Sequence, residues 1–151
     1  MQAILNAVHS YNRYLLLVAL VFVIYRSFSG WMGKKPFEKT DNTASIALLG
    51  LTHLQALLGL IMYFFTSAYT TGGGSMKDPW VRYFKAEHIA AMLIAVVLVQ
   101  LGRTFSKKAA TDTDKHKKLA IYTTIAFVII AGTLAMKGLL LGTLASVTAG
   151  Q

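Results

Sequence analysis

Residues 83–99 have the sequence YFKAEHIAAMLIAVVLV, which places a carboxylate and an imidazole at the start of a long apolar run. The run predicts a helix over about 80–105, which is long enough to cross a bilayer because a span takes about 20 residues. Ionisable groups within such a span are rare, costly and usually functional. Glu87 and His88 therefore make this segment the first candidate for a functional site.

Three further apolar stretches of similar length occur along the chain. They predict helices over about 3–28, 43–65 and 119–144, joined by short loops, with residues 1–151 forming a single domain. Four spans with short connections form an up-down-up-down bundle. The expected fold class is therefore an all-α integral membrane protein, a four-helix transmembrane bundle. The first span has neither a positive n-region nor a cleavage site after it, so we expect it to be retained.

The composition favours the same class of protein. The 151 residues are 55% hydrophobic with a mean hydropathy of +0.53, which is too apolar for an ordinary soluble domain. The net charge of +9 lies mostly in short loops, with no basic patch of interleaved aromatics, which argues against nucleic acid as a partner. The chain has no cysteine, so it has no disulfide, iron–sulfur cluster or thiolate metal site.

The distribution of positive charge predicts the orientation in the lipid bilayer. The loops that follow the first and third spans, counted from Arg26 and Arg103, hold four and six Lys or Arg residues. The loop on the opposite side holds three. The positive-inside rule then places the basic loops in the cytoplasm and both termini outside, on the periplasmic side of a bacterial inner membrane.

Polar side chains within the spans are predicted to gather at one end of the bundle. At 1.5 Å per residue, His9, Arg13, His88 and Lys137 fall in the outer half, with His53 beneath them near the midplane. Two imidazoles from different helices can hold a haem b, with apolar walls around the ring and cations for the propionates. His88 is the first axial candidate, and His53 and His9 are alternatives for the second. Arg13 and Lys137 are candidates for the propionates.

The same residues allow other interpretations. If they only form hydrogen bonds between helices, the protein is a structural or assembly subunit of a larger membrane complex. His9, His53 and His88 are also a candidate copper or zinc site, although their depths differ by roughly 10 Å. Lys137 lies near a helix end, where a lysine can extend its ammonium group to the interface.

Two other polar residues have simpler expected roles. Glu87 is expected to pair with a nearby cation, for which the candidates are Lys137, Arg82 and Arg13. His116 lies between two lysines of a basic loop and is expected to be exposed to solvent.

Short motifs lie along nearly the whole chain. They are His9-x-x-Asn12-Arg13-Tyr14, Arg26-Ser27-Phe28-Ser29-Gly30-Trp31, His53-Leu54-Gln55 with Leu58-Gly59-Leu60, Glu87-His88 with Met92-Leu93-Ile94-Ala95, Gly102-Arg103, and Lys107-Lys108-Ala109 through Lys115-His116-Lys117. In this combination the chain resembles a group of small four-span bacterial membrane proteins labelled cytochrome b-type.

The resemblance implies a haem b protein of electron transfer. It implies one haem with His88 as a ligand, although four histidines would also allow a second haem. The expected activity is a relay of electrons near the outer face of the membrane, with a redox partner or a larger membrane complex. Arg13, Tyr14 and Gln55 are residues of a type that suits a quinone. The spans contain no nucleophile–base pair, so a hydrolase is not expected.

Overall fold

The computed structural model of the protein describes residues 1–140, in which the regular elements are all helices and no strand occurs. The sequence prediction of an all-helical fold is confirmed. In chain order the elements are α1 (Gln2–Met32), α2 (Lys39–Ile61), a π-helical turn (Met62–Thr66), α3 (Ala68–Thr71), α4 (Pro79–Arg82), a second π-helical turn (Tyr83–Glu87), α5 (His88–Lys108) and α6 (Asp112–Ala135).

Four helical runs are long and apolar enough to cross a membrane. They are Gln2–Met32, Lys39–Thr66, Pro79–Lys108 and Asp112–Ala135. Helix α1 packs against α2 and α6, and α5 packs against the same two helices. The four helices therefore form a closed ring in which α1 and α5 lie diagonally opposite each other.

Capping explains where α2 and α6 begin. Helix α2 begins earlier than predicted because Glu38 and Asp41 form a capping box, with the Glu38 backbone N–H donating to Asp41 Oδ2 at 2.9 Å. Helix α6 begins at Asp112, ahead of the apolar span predicted from about 119 and with Asp112 and Asp114 in its first turn as their charge favours, because the Thr111 hydroxyl accepts a hydrogen bond from the Asp114 backbone N–H at 3.1 Å. The predicted end of this helix, residues 141–144, lies outside the described residues.

The core between the helices is a column of aliphatic and small side chains. Leu20 and Ala126 are fully buried, and Tyr83 closes the column near the start of α5. The Tyr83 hydroxyl donates to the Thr133 carbonyl of α6 at 2.8 Å, so this buried polar group is paired. The other buried members of the core are Leu16, Val23, Leu48, Ala95, Val99, Ile130, Leu134 and Leu139.

His116 is buried, so the expectation that it is exposed to solvent is wrong. Its side chain is only 1% exposed, because it lies on the face of α6 that packs against Gly30 of α1. The imidazole lies 5.1 Å from the Phe37 ring, and its Nε2 lies 3.2 Å from the Pro36 carbonyl oxygen. Gly30 of α1 provides the space for the ring.

An ion-pair network joins α1 to α2 at the same end of the bundle. Arg26 Nε contacts Asp41 Oδ1 at 2.8 Å, and Arg26 Nη2 contacts Glu38 Oε2 at 3.3 Å. Asp41 is buried, and a buried carboxylate is tolerated when it is paired and hydrogen-bonded. We call this end, with the loops 33–38 and 109–111, the basic-loop end.

Replacement of Gly30 by alanine tests the packing of the His116 ring against α1. A Cβ at this position would overlap the imidazole ring, and overpacking of this kind costs about 1–3 kcal/mol. That cost exceeds the gain of about 0.5–1 kcal/mol that alanine gives over glycine inside a helix. We expect Gly30→Ala to lower the free energy of unfolding in detergent.

Gly132→Ala is the matched control. Gly132 lies within α6, and a Cβ there would meet nothing within 4 Å. This variant should be neutral or slightly stabilising. Equal stability of the two variants would show that His116 does not depend on the space at Gly30.

Candidate functional site

A cavity of about 450 Å³ lies between the helices at the end opposite the basic loops. Its size falls within the range of roughly 300–1,000 Å³ that encloses small-molecule ligands and cofactors. The wall is mainly apolar and comes from α1, α2 with its π-helical turn, α5 and α6, with a contribution from α3. Its polar side chains include His9, Arg13, Gln55, Tyr63 and His88.

The α1 wall presents His9 and Arg13, which are one helical turn apart on the same face. The His9 ring lies over Gly59 of α2, where a Cβ would come within 3.3 Å of His9 Cε1. Gly59 therefore provides room for this imidazole between the two helices. Arg13 is buried, and its guanidinium lies 4.7 Å from the centre of the Tyr14 ring.

Asn12 and Gln55 fasten α1 to α2 beside the cavity. Asn12 Nδ2 donates to Gln55 Oε1 at 2.7 Å and to the Leu51 carbonyl oxygen at 3.1 Å. In return, Gln55 Nε2 donates to the carbonyl oxygen of His9 at 3.0 Å. The reciprocal bonds set the height and rotation of α1 against α2 at the turn that carries His9.

The α5 wall presents His88, the first residue after the π-helical turn Tyr83–Glu87. Its ring lies 5.5 Å from the Tyr83 ring and 5.6 Å from the Phe84 ring. A π-helical turn inserts one extra residue into a helix, and such turns occur frequently at functional sites.

The other π-helical turn, Met62–Thr66, follows α2 at the same end of the bundle. Tyr63 within it lines the cavity, and its hydroxyl donates to the Lys85 carbonyl oxygen at 3.0 Å. This bond joins the two π-helical turns. The sequence marks Tyr63 only as one of several aromatic residues at the end of the second span, so its place in the cavity wall was not predicted.

His9 and His88 each have a buried ring nitrogen to be satisfied. Within residues 1–140, the Nδ1 atom of neither ring has a hydrogen-bond partner. Most buried polar atoms in proteins are paired, and an unpaired one calls for an explanation such as an ion or ligand. These Nδ1 atoms are buried, so a ligand in the cavity would meet each ring at its other atoms. The two rings come from diagonally opposite helices and line the same cavity, so one ligand between them would contact both.

The charge on the cavity wall favours a ligand with an anionic group. Arg13 contributes a guanidinium, and the described lining residues include no Asp or Glu. Guanidinium groups bind carboxylates through strong, charge-assisted hydrogen bonds. The cavity therefore combines two imidazoles, one cation and apolar walls.

His53 does not take part in this cavity. The prediction that it lies in the bundle interior is wrong, since the side chain is exposed on the outer face of α2. The inner face of α2 carries Thr52 and Gln55 instead, and both line the cavity.

Lys137 and Glu87 also lie away from the cavity wall. Lys137 Nζ lies 5.0 Å from the Trp80 ring and 5.9 Å from the Tyr83 ring, which is cation–π geometry. Glu87 pairs with Arg82 at 3.0 Å, as one of the three predicted partners. Of the residues predicted for the outer half of the bundle, His9, Arg13 and His88 therefore line the cavity. Lys137 lies against aromatic rings instead.

A site for copper or zinc shared by three histidines does not form. In the described part of the chain, no group of three or more His, Asp or Glu side chains is close enough to hold a metal ion. His53 faces away from His9 and His88, which is the physical reason.

Comparisons of the chain with protein-family models, curated proteins and solved structures found no match. The resemblance to cytochrome b-type proteins therefore stays a prediction.

The Gln55 bridge can be tested by replacing this residue with leucine. Hydrogen bonds between membrane helices contribute on average about 0.6 kcal/mol and at most about 1.7 kcal/mol. We expect Gln55→Leu to lower the free energy of unfolding in mixed micelles by an amount of this order. The control is Gln100→Leu, because among residues 1–140 the side chain of Gln100 bonds only to Thr104 on its own helix. An equal loss in both variants would contradict a special role for the bridge.

Proposed function

We propose that the protein is a membrane-embedded b-type cytochrome with one haem b in the cavity. The observation that carries the proposal is the presence of His9, His88 and Arg13 on the walls of one mainly apolar cavity. Haem iron is commonly held by histidine, and helix bundles build such sites between facing helices.

The residues present fit this cofactor in three respects. His9 and His88 would hold the iron, and Arg13 would bind a propionate carboxylate. When bound, haem b supplies reversible one-electron chemistry. The apolar side chains of the cavity, such as Met92 and Leu134, would limit access of water and so help to set the reduction potential.

The proposed location is the bacterial inner membrane, with both termini outside. The four apolar helices support insertion, and the excess of lysine and arginine at the basic-loop end supports a cytoplasmic position for that end. The cavity then lies in the outer half of the bilayer. Electrons would pass between the haem and a redox partner, or a larger membrane complex, near the outer face.

The runner-up is a structural or assembly subunit without a cofactor. The Asn12–Gln55 bridge favours it, since these polar groups already have interhelical partners. A quinone is less well supported, because Gln55 already donates and accepts hydrogen bonds and Tyr14 does not line the cavity.

An optical spectrum of the purified protein, expressed with haem supplied, tests the cytochrome directly. We expect a Soret band that shifts on reduction, at about one haem per chain. His88→Ala and His9→Ala should each abolish or strongly change the low-spin spectrum, because each removes one axial ligand.

His53→Ala is the matched control, since this histidine lies outside the cavity. It should keep the unaltered spectrum. A colourless wild-type protein would favour the subunit without a cofactor, and loss of the spectrum in His53→Ala alone would overturn the assignment of the ligands.

The two cations give a second test. Arg13 lines the cavity, whereas Lys137 lies over the rings of Trp80 and Tyr83. A hydrogen bond to a charged group contributes about 1.5–3 kcal/mol, so Arg13→Gln should speed the loss of haem to apomyoglobin by about tenfold or more. Lys137→Gln should leave the rate within about twofold of wild type. Faster haem loss from Lys137→Gln than from Arg13→Gln would assign the propionate to Lys137.

A further inference from the structure

His53 lies at the centre of a long apolar helix and points away from the bundle. The helical run Lys39–Thr66 places it roughly 20 Å from either end, at 1.5 Å per residue. The side chain is exposed, although its neighbours on the inner face are buried or line the cavity. In the proposed membrane, this imidazole would stand in the middle of the hydrocarbon layer.

This position is costly if lipid covers it. A bilayer core offers no water to the N–H donor or to the ring lone pair, and ionisable residues of membrane spans nearly always face protein or a water-filled cavity. The outward position of His53 is therefore best explained by a second protein surface that covers it.

The surface around His53 allows close approach of another helix. Positions 46, 50, 53 and 57 recur every three or four residues and are all exposed, so they form one stripe along α2. A Cβ at Gly50 would meet nothing within 4 Å, which leaves the backbone open from this side. Small residues beside a polar side chain are typical of contacts between membrane helices. We call this surface the His53 stripe: Ile46, Gly50, His53 and Leu57.

We propose that the His53 stripe binds the same stripe of a second copy of this chain. Two copies insert in the same orientation, so their two-fold axis runs along the membrane normal and the two α2 helices lie parallel. In such a contact each residue meets its own counterpart, and the surface must be complementary to itself.

The imidazole meets this condition through its charge distribution. A neutral ring carries one N–H with partial positive charge and one lone pair with partial negative charge. Two His53 rings can therefore form a hydrogen bond with each other. Gly50 would meet Gly50 at close range, while the apolar members of the stripe pack against their equivalents.

The dimer rests on the membrane insertion proposed above but does not require haem. Membrane insertion and the dimer can fail separately. A chain that carbonate washing removes from membranes is not inserted, whatever its oligomeric state. The experiment therefore uses membranes washed in this way.

Single cysteines give a direct test, because the natural chain has none. Gly50→Cys and Leu57→Cys place a thiol on the stripe. Ile125→Cys and Val128→Cys are controls at exposed positions within the apolar part of α6. After oxidation in the membrane, the stripe variants should form a band at twice the 16.5 kDa chain mass, and the controls should remain monomeric.

A second variant tests His53 itself. His53→Leu in the Leu57→Cys background should lower the cross-linked fraction several-fold, because the pair of rings is lost. The dimer would be overturned if the controls cross-linked as strongly as the stripe variants. It would also be overturned if the stripe variants did not cross-link at all. A cross-link to a protein of another mass would assign the stripe to a different partner, and an unchanged yield in His53→Leu would remove His53 from the contact.

Discussion

The paired amides of Asn12 and Gln55 hold α1 against α2, and the position of the cavity depends on them. Apolar helices slide and rotate against each other at little cost, since one apolar side chain replaces another in the contact. Reciprocal amide bonds remove this freedom, because only one height and one rotation satisfy both groups. The bond to the His9 carbonyl then fixes the turn from which His9 and Arg13 reach the cavity.

The opposite end of the bundle is held by different chemistry. There a buried carboxylate is paired with Arg26, and the ring of His116 fits against a glycine. The Asp41 carboxylate and the Nε2 atom of His116 both have hydrogen-bond partners within the fold, whereas the His116 Nδ1 atom has none within residues 1–140. At the cavity end, two imidazoles line open space instead. The named polar groups of the basic-loop end therefore join helices to each other, whereas the rings of His9 and His88 line the cavity at the other end.

The sequence predicts the four helices well, because long apolar runs have few alternatives. It also brings His9, Arg13 and His88 together correctly, since the rise per residue gives their depth and the helical period gives the shared face of His9 and Arg13. The orientation of His53 was not predictable in this way. Helix α2 is apolar on both its inner and outer faces, so hydropathy does not distinguish a face toward the core from a face toward lipid. The buried position of His116 was missed because its two lysine neighbours mark the segment as polar, whereas the side chain itself faces Gly30 of α1.

The π-helical turn Tyr83–Glu87 acts as a phase shift between two parts of one long helix. Each residue advances an α-helix by about 100°, so the extra residue rotates everything before the turn relative to everything after it. This rotation lets Trp80 lie beside Lys137 while His88 lines the cavity. Loss of one residue here would leave the length and hydropathy of the span almost unchanged. It would nevertheless turn Trp80 away from Lys137, so the number of residues at this point sets the arrangement together with the buried Tyr83.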